Sequence, residues 1–146
     1  MSILKIRETA AAVMLQDAIS SFPNECCGFF YGEEREGIRH IQLAQIVNNS
    51  KEGDQRRRFE ISPLDYMRAE RFALANDLSL LGVYHSHPNH PAIPSIHDLK
   101  QAVPFFSYII ISVMDGKFNT LRSWQLNEET GQFDEEKVVD SLADVH

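Results

Sequence analysis

His85 and His87 stand two residues apart at the end of a predicted strand, and Asp98 follows in the first turn of a predicted helix. Side chains at that spacing in a strand point to the same face, so two imidazoles can reach one ion. Pro88 turns the chain into a loop, and a loop of this length can fold the helix start back over the strand end. Two histidines and a carboxylate form a common three-ligand set for catalytic zinc, with the fourth position left for water. Zinc lowers the pKa of such a water to about 7, which makes hydroxide available at neutral pH. A competing reading exists for the acid: Ser95 and Asp98 also satisfy a capping box, a serine at the cap and an acid three residues on. Asp98 alone reads better as a cap, and His85 alone as a core histidine. The pair of histidines on one face, closed by a nearby acid, is what points to a metal.

Several elements must position these residues. Ile3–Ile6 reads as a short strand and residues 8–20 as a helix rich in alanine, which Pro23 terminates. The apolar run Cys26–Tyr31 and the partly alternating stretch Ile38–Val47 predict a hairpin. The polar stretch 48–57 reads as a loop, and Phe59 and Ile61 as a brief strand. Ser62-Pro63-Leu64-Asp65 is a helix start, with a serine cap and proline at the first helical position. That helix runs to about Asn76, and Leu78–His85 follows as a buried strand. After the loop with Pro88, Pro91 and Pro94, Ser95 starts a third helix that Pro104 stops. Tyr108-Ile109-Ile110-Ile111 marks the clearest strand, over Ser107–Met114, and Asp115-Gly116 turns it into another over 117–126. The acidic tail from about Asn127 is expected to be loosely held. Strands, helices and hairpins together predict an α/β fold, a mixed and largely antiparallel sheet flanked by helices.

Composition bounds the function. A chain of 146 residues with 43% hydrophobic and 24% charged residues suits one soluble domain spanning 1–146. No apolar run approaches the roughly 20 residues that cross a bilayer, and the N-terminal residues lack a signal-peptide stretch, so a cytoplasmic protein with no membrane partner is expected. The net charge of −7 argues against nucleic acid as a partner. Cys26 and Cys27 are neighbours and read as small core residues rather than as a disulfide or a zinc pair. His97 reads as solvated, and His90 first as an exposed loop histidine, with a contact to substrate or to a group behind the site as its functional reading. Trp124 reads as packing. Arg56-Arg57-Arg58 is a basic run in an acidic chain; it reads first as a solvated loop, and its functional reading is a contact to an acidic surface or a terminal carboxylate. The exposed hairpins suit a homodimer.

His85-Ser86-His87-Pro88, then six residues, Ser95, two more residues and Asp98 resemble the signature of the JAMM (MPN+, or JAB) zinc metallopeptidase family. Pro23-Asn24-Glu25-Cys26-Cys27-Gly28 resembles the segment that carries the family's upstream glutamate, which points to Glu25. The similarity extends over Arg57-Arg58-Phe59, the helix after Ser62, Gly82-Val83-Tyr84 and Tyr108–Val113, and it is strongest to the short bacterial members. The resemblance implies the family's cytidine-deaminase-like sandwich and one zinc ion held by His85, His87 and Asp98. It implies Glu25 as the group that takes a proton from water and passes it to the leaving amine. It implies Ser95 as a hydroxyl that stabilises the oxyanion. It further implies a ubiquitin-like or sulfur-carrier protein as substrate, cut after its C-terminal glycine to release cysteine or a short extension. Removal of ubiquitin-like modifiers from lysines is the alternative within the class, and a non-catalytic metal-binding scaffold is the alternative outside it. A zinc deaminase is excluded, because its His-x-Glu and Pro-Cys-x-x-Cys elements are absent.

Overall fold

A computed structural model describes residues 2–140. Ten elements follow one another: β1 (Ile3–Ile6), α1 (Glu8–Ser21), β2 (Cys27–Arg35), β3 (Ile38–Val47), α2 (Pro63–Ala75), β4 (Ser79–Pro88), α3 (Ile96–Gln101), β5 (Ser107–Met114), β6 (Lys117–Asn127) and β7 (Gln132–Asp140). The strands lie in the order β1-β3-β2-β4-β5-β6-β7, and β7 pairs with β1, so the sheet closes on itself. Pairings β2/β3, β2/β4, β5/β6 and β6/β7 are antiparallel, while β1/β3, β1/β7 and β4/β5 are parallel. The mixed α/β composition matches the sequence reading, but the sheet closes into a barrel-like arrangement rather than the expected sandwich.

Closure depends on the segment expected to hang loosely. β7 pairs antiparallel with β6 and parallel with β1. Its acidic composition, Gln132-Phe133-Asp134-Glu135-Glu136, hides its role because one of the acids points inward. Glu136 is buried and accepts hydrogen bonds from Ser107 Oγ (3.0 Å) and Ser123 Oγ (2.8 Å). Ser107 Oγ in turn accepts from the buried Arg39 guanidinium at 2.8 Å. A carboxylate with such partners can be buried, whereas an unpaired one could not. Residues 141–146 of the expected tail lie outside the described residues.

The sheet carries a core on each face, as alternation requires. Ala10, Ala11, Met14 and Ala18 of α1 pack with Phe30, Leu81, Tyr84, Ile109 and Ile111. On the other face Ala69 and Ala73 of α2 pack with Phe29, Tyr31, Val83 and Tyr108. Phe59 and Ile61 join this second core without forming the expected strand, because the segment shares a single backbone bond with its neighbour, from Ser50 N–H to the Glu60 carbonyl (2.8 Å). Glu36-Gly37 and Asp115-Gly116 turn their hairpins with positive φ at both residues (53° and 79°, 51° and 80°), the type I′ geometry that suits the twist of the strands. No helix among the described residues is long and apolar enough to cross a membrane.

Candidate metal centre and active site

β4 lies between β2 and β5, with His85 opposite Cys27 on one side and Ile110 on the other. β2 begins at that point, so His87 and Pro88 are paired only to β5, at Ser112 and Val113. The two histidines thus emerge on one face where the sheet opens. His85 is stacked on Phe59, with ring centroids 4.5 Å apart. Its Nδ1 has no hydrogen-bond partner among the described residues, so ring stacking orients it. His87 Nδ1 lies 2.8 Å from the Pro91 carbonyl oxygen. A carbonyl can only accept, which places the proton on Nδ1 and leaves the Nε2 lone pair facing inward.

α3 brings the acid. Ser95 caps the helix with its side-chain oxygen accepting from Asp98 N–H (3.1 Å), while Asp98 Oδ2 accepts from Ser95 N–H (2.8 Å). Both halves of the capping box are therefore present. The loop before it is held by Trp124, whose Nε1–H donates to the Ala92 carbonyl (3.1 Å). In this position the same carboxylate reaches both imidazoles, with Oδ1 3.3 Å from His85 Nε2 and Oδ2 3.2 Å from His87 Nε2. Cap and candidate ligand are one group, so the two readings of Asp98 were never exclusive.

His85, His87 and Asp98 each offer a donor atom within 4.8 Å of the others. The two Nε2 atoms are 3.2 Å apart. Ligands at 2.0–2.1 Å from one tetrahedral zinc lie about 3.3 Å from each other, so the donor set and its spacing fit that ion. Burial lowers the basicity of His85, which keeps its ring neutral and available. Burial alone would lower His87 too, but hydrogen bonds with Asp98 and Pro91 and the Asp98 charge hold it above the ordinary value. Burial would raise Asp98, yet its two histidine contacts and the Ser95 N–H keep its carboxyl far below the usual range. The ionised Asp98 and the neutral His85 are already in the form a divalent cation needs, and His87 gives up its Nε2 proton when the ion binds.

Glu25 reaches the same place from a distant part of the chain. It follows α1 and precedes β2, and it is buried, with 6% of its surface exposed. Ser86, the residue between the two histidines, ties it down: Ser86 Oγ accepts from Cys26 N–H (2.8 Å), and Ser86 N–H donates to the Cys26 carbonyl (3.3 Å). On its other side Glu25 N–H donates to the Gln55 carbonyl (2.7 Å), and the Glu25 carbonyl accepts from Asn49 Nδ2 (3.4 Å). Burial pushes the carboxyl up to about 8, partly offset by His87 and reinforced by Asp98. A cleft of about 530 Å³ opens onto Glu25, His87 and Ser95, with Arg57, His90 and Ile93 on its walls.

The remaining sequence candidates separate. Cys26 and Cys27 are buried, unpaired and packed into opposite cores. His90 is exposed on the cleft wall, while His97 is half-buried on α3 and does not line the cleft. Of the three arginines only Arg57 lines it. Ser86, Asn49 and Gln55 escape sequence reasoning, because nothing near them in the chain marks a serine or an amide as a clamp on a residue up to 60 positions away.

A family model described as prokaryotic homologs of the JAB domain matches residues 7–127. The chain belongs to the prokaryotic JAB family. This JAB chain is 28% identical over 121 residues to the desampylase of Pyrococcus furiosus, covering 83% of this chain and 79% of that protein. It is 44% identical over 103 residues to a probable TtuB-protein conjugate cleaving protease of Thermus thermophilus, covering 70% of this chain and 63% of that one. Among solved structures, a Desulfitobacterium hafniense protein shares its fold with a TM-score of 0.81 at 28% identity, over 94% of this chain and 92% of that one. A JAB1/MPN domain protein from Archaeoglobus fulgidus, at 19% identity and a TM-score of 0.53 over 94% of this chain and 97% of that one, shows that the fold is that of JAB/MPN domains.

Proposed function

We propose that this JAB protein is a zinc-dependent peptidase that hydrolyses the amide or isopeptide bond after the C-terminal glycine of a ubiquitin-like or sulfur-carrier protein. The observation that carries the reading is the convergence of His85, His87 and Asp98, with His87 and the buried Glu25 both lining one open cleft. The names of the two relatives, a desampylase and a conjugate-cleaving protease, support a protein conjugate as the substrate class.

His85, His87 and Asp98 would hold the ion, which supplies Lewis acidity that polarises the scissile carbonyl and acidifies water. Glu25 accepts a proton from the attacking water and delivers it to the nitrogen of the leaving amine as the C–N bond breaks. A carboxyl whose burial displaces it towards neutral pH is matched to both halves of that transfer. Ser95 uses an oxygen lone pair for its helix cap, so its hydroxyl hydrogen is free to donate to the oxyanion that forms on the carbonyl. An extended Gly-Gly tail would enter the cleft as a narrow chain with little side-chain bulk.

The test is incubation with a sulfur-carrier–cysteine adduct and measurement of released cysteine. The wild-type protein is expected to release it, and a strong chelator or His87→Ala to abolish release. Release that survives both would overturn the metal mechanism. A lysine-linked conjugate run in parallel tests the isopeptidase alternative. Zinc bound by the wild type and by Glu25→Gln alike, with no release of cysteine by either, would favour a scaffold.

A further inference from the structure

Arg57 brings a permanent positive charge to the wall of the cleft that holds Glu25, His87 and Ser95. The chain as a whole carries a charge of −7, and Arg57 is the one arginine or lysine among the residues lining this cleft. A cation held there is available for an anion that the substrate brings. Among the described residues Arg57 has one ion pair, with Asp54 Oδ2, which is 3.9 Å long with both side chains exposed (81% and 59%). That is beyond hydrogen-bond length and weak in water.

The loop that carries Arg57 is fastened to the catalytic acid itself. Gln55, two residues earlier, accepts the Glu25 N–H through its carbonyl. Asn49 Nδ2 donates to the Glu25 carbonyl and to the carbonyl of Arg58, one residue later (3.0 Å). Asn49 Oδ1 meanwhile accepts from Lys51 N–H (2.9 Å) and Glu60 N–H (3.0 Å), which closes the loop at its base. The backbone on either side of Arg57 is thereby held against the segment that carries Glu25.

We infer that Arg57 is a specificity-determining residue that binds the free α-carboxylate of the leaving group, so that the preferred substrate is a carrier protein ending in a single amino acid beyond its glycine. The inference rests on the peptidase reading above. A carboxylate separated from the amine nitrogen only by its α-carbon lies close to wherever Glu25 delivers its proton. The neutral glycine tail on the other side of the bond offers no charge for a guanidinium to meet. A lysine side-chain amine carries no carboxylate near its nitrogen, and it gains nothing from Arg57. A guanidinium pairs with a carboxylate through two parallel N–H donors, which a lysine in its place could not reproduce.

Two measurements test this on the full zinc-loaded chain. In the first, a carrier–cysteine adduct with a free carboxylate is compared with the same adduct as its carboxamide. Wild-type kcat/KM is expected to favour the acid by about tenfold, the effect of one charge-assisted contact at a partly exposed site. In Arg57→Gln the ratio falls towards one, and in Arg57→Lys it is intermediate. In the second, binding of Gly-Gly-Cys as acid and as amide is measured by calorimetry on Glu25→Gln, with and without Arg57→Gln. The acid binds more tightly only when Arg57 is present. A preference that persists in Arg57→Gln, or a wild type that treats acid and amide alike, overturns the inference. A wild type that hydrolyses neither adduct overturns the peptidase reading instead, and equal binding of acid and amide still refutes the role of Arg57.

Discussion

Glu25→Gln should change the pH dependence of folding before any substrate is added. In the metal-free protein the Glu25 carboxyl is raised from 4.5 to about 8, chiefly by burial. Each pH unit of such displacement corresponds to about 1.4 kcal/mol, so ionising Glu25 in place costs at most about 5 kcal/mol. The unfolded chain releases this proton near 4.5, whereas the folded chain keeps it to about 8. The native state therefore binds the extra proton in that window. Its stability is full below the lower value and falls as pH rises through the upper one. Gln has no proton to lose and does not share that fall. Between pH 5 and pH 9 the wild-type protein should lose roughly 4 kcal/mol relative to the variant. The assay is urea unfolding with chelator present, at pH 5, 7 and 9, followed by the fluorescence of the single tryptophan, Trp124. Parallel stability curves for the two proteins would refute the claim that Glu25 is desolvated in the folded site.

Other variants separate roles that share a residue or a network. Ser95→Ala should cost about 1 kcal/mol by removing the cap of α3, while Ser95→Gly should cost only a few tenths. Both should lower kcat by roughly 10²-fold with KM little changed if the hydroxyl serves the oxyanion, and retention of kcat in Ser95→Gly would confine Ser95 to capping. Asn49→Ala strips partners from four backbone groups around Glu25, so about 1–3 kcal/mol of stability should be lost along with kcat rather than KM. Unchanged steady-state constants would show that the loop does not hold the acid. Glu136→Ala leaves the Ser107 and Ser123 hydroxyls without their acceptor inside the closed sheet. About 3 kcal/mol of destabilisation in urea titrations is expected, and an unaltered midpoint would mean that β7 does not depend on this network.

The features legible in the chain are those whose physics is local. Alternation puts His85 and His87 on one face without reference to anything outside β4. Ser95 and Asp98 form their cap within one turn of helix. Ile3–Ile6, Ile38–Val47 and Ser107–Met114 are strands over the residues their composition predicts, and Asp115-Gly116 turns as its dipeptide demands. Glu25 was reached through resemblance, because an acid in a polar turn carries no local sign of burial. The misreadings share one cause. The acidic segment 132–140 resembles a solvated tail until Ser107 and Ser123, far earlier or on another strand, are seen to supply donors for Glu136. Phe59 and Ile61 have a strand's apolar spacing, but strand identity belongs to a ladder and their neighbour offers one bond.

The candidate ligand types, their common face, the helix start that carries the acid and most element boundaries are legible in the chain alone, since each follows from interactions within a few residues. Long-range contacts alone establish that Ser86 and Gln55 bring Glu25 to the His85–His87–Asp98 cluster, that Arg57 rather than its two neighbours faces the cleft, and that β7 closes the sheet. These depend on hydrogen bonds and burial between segments remote in the chain. The free energy of a buried carboxylate is set by those partners and not by its position in the sequence.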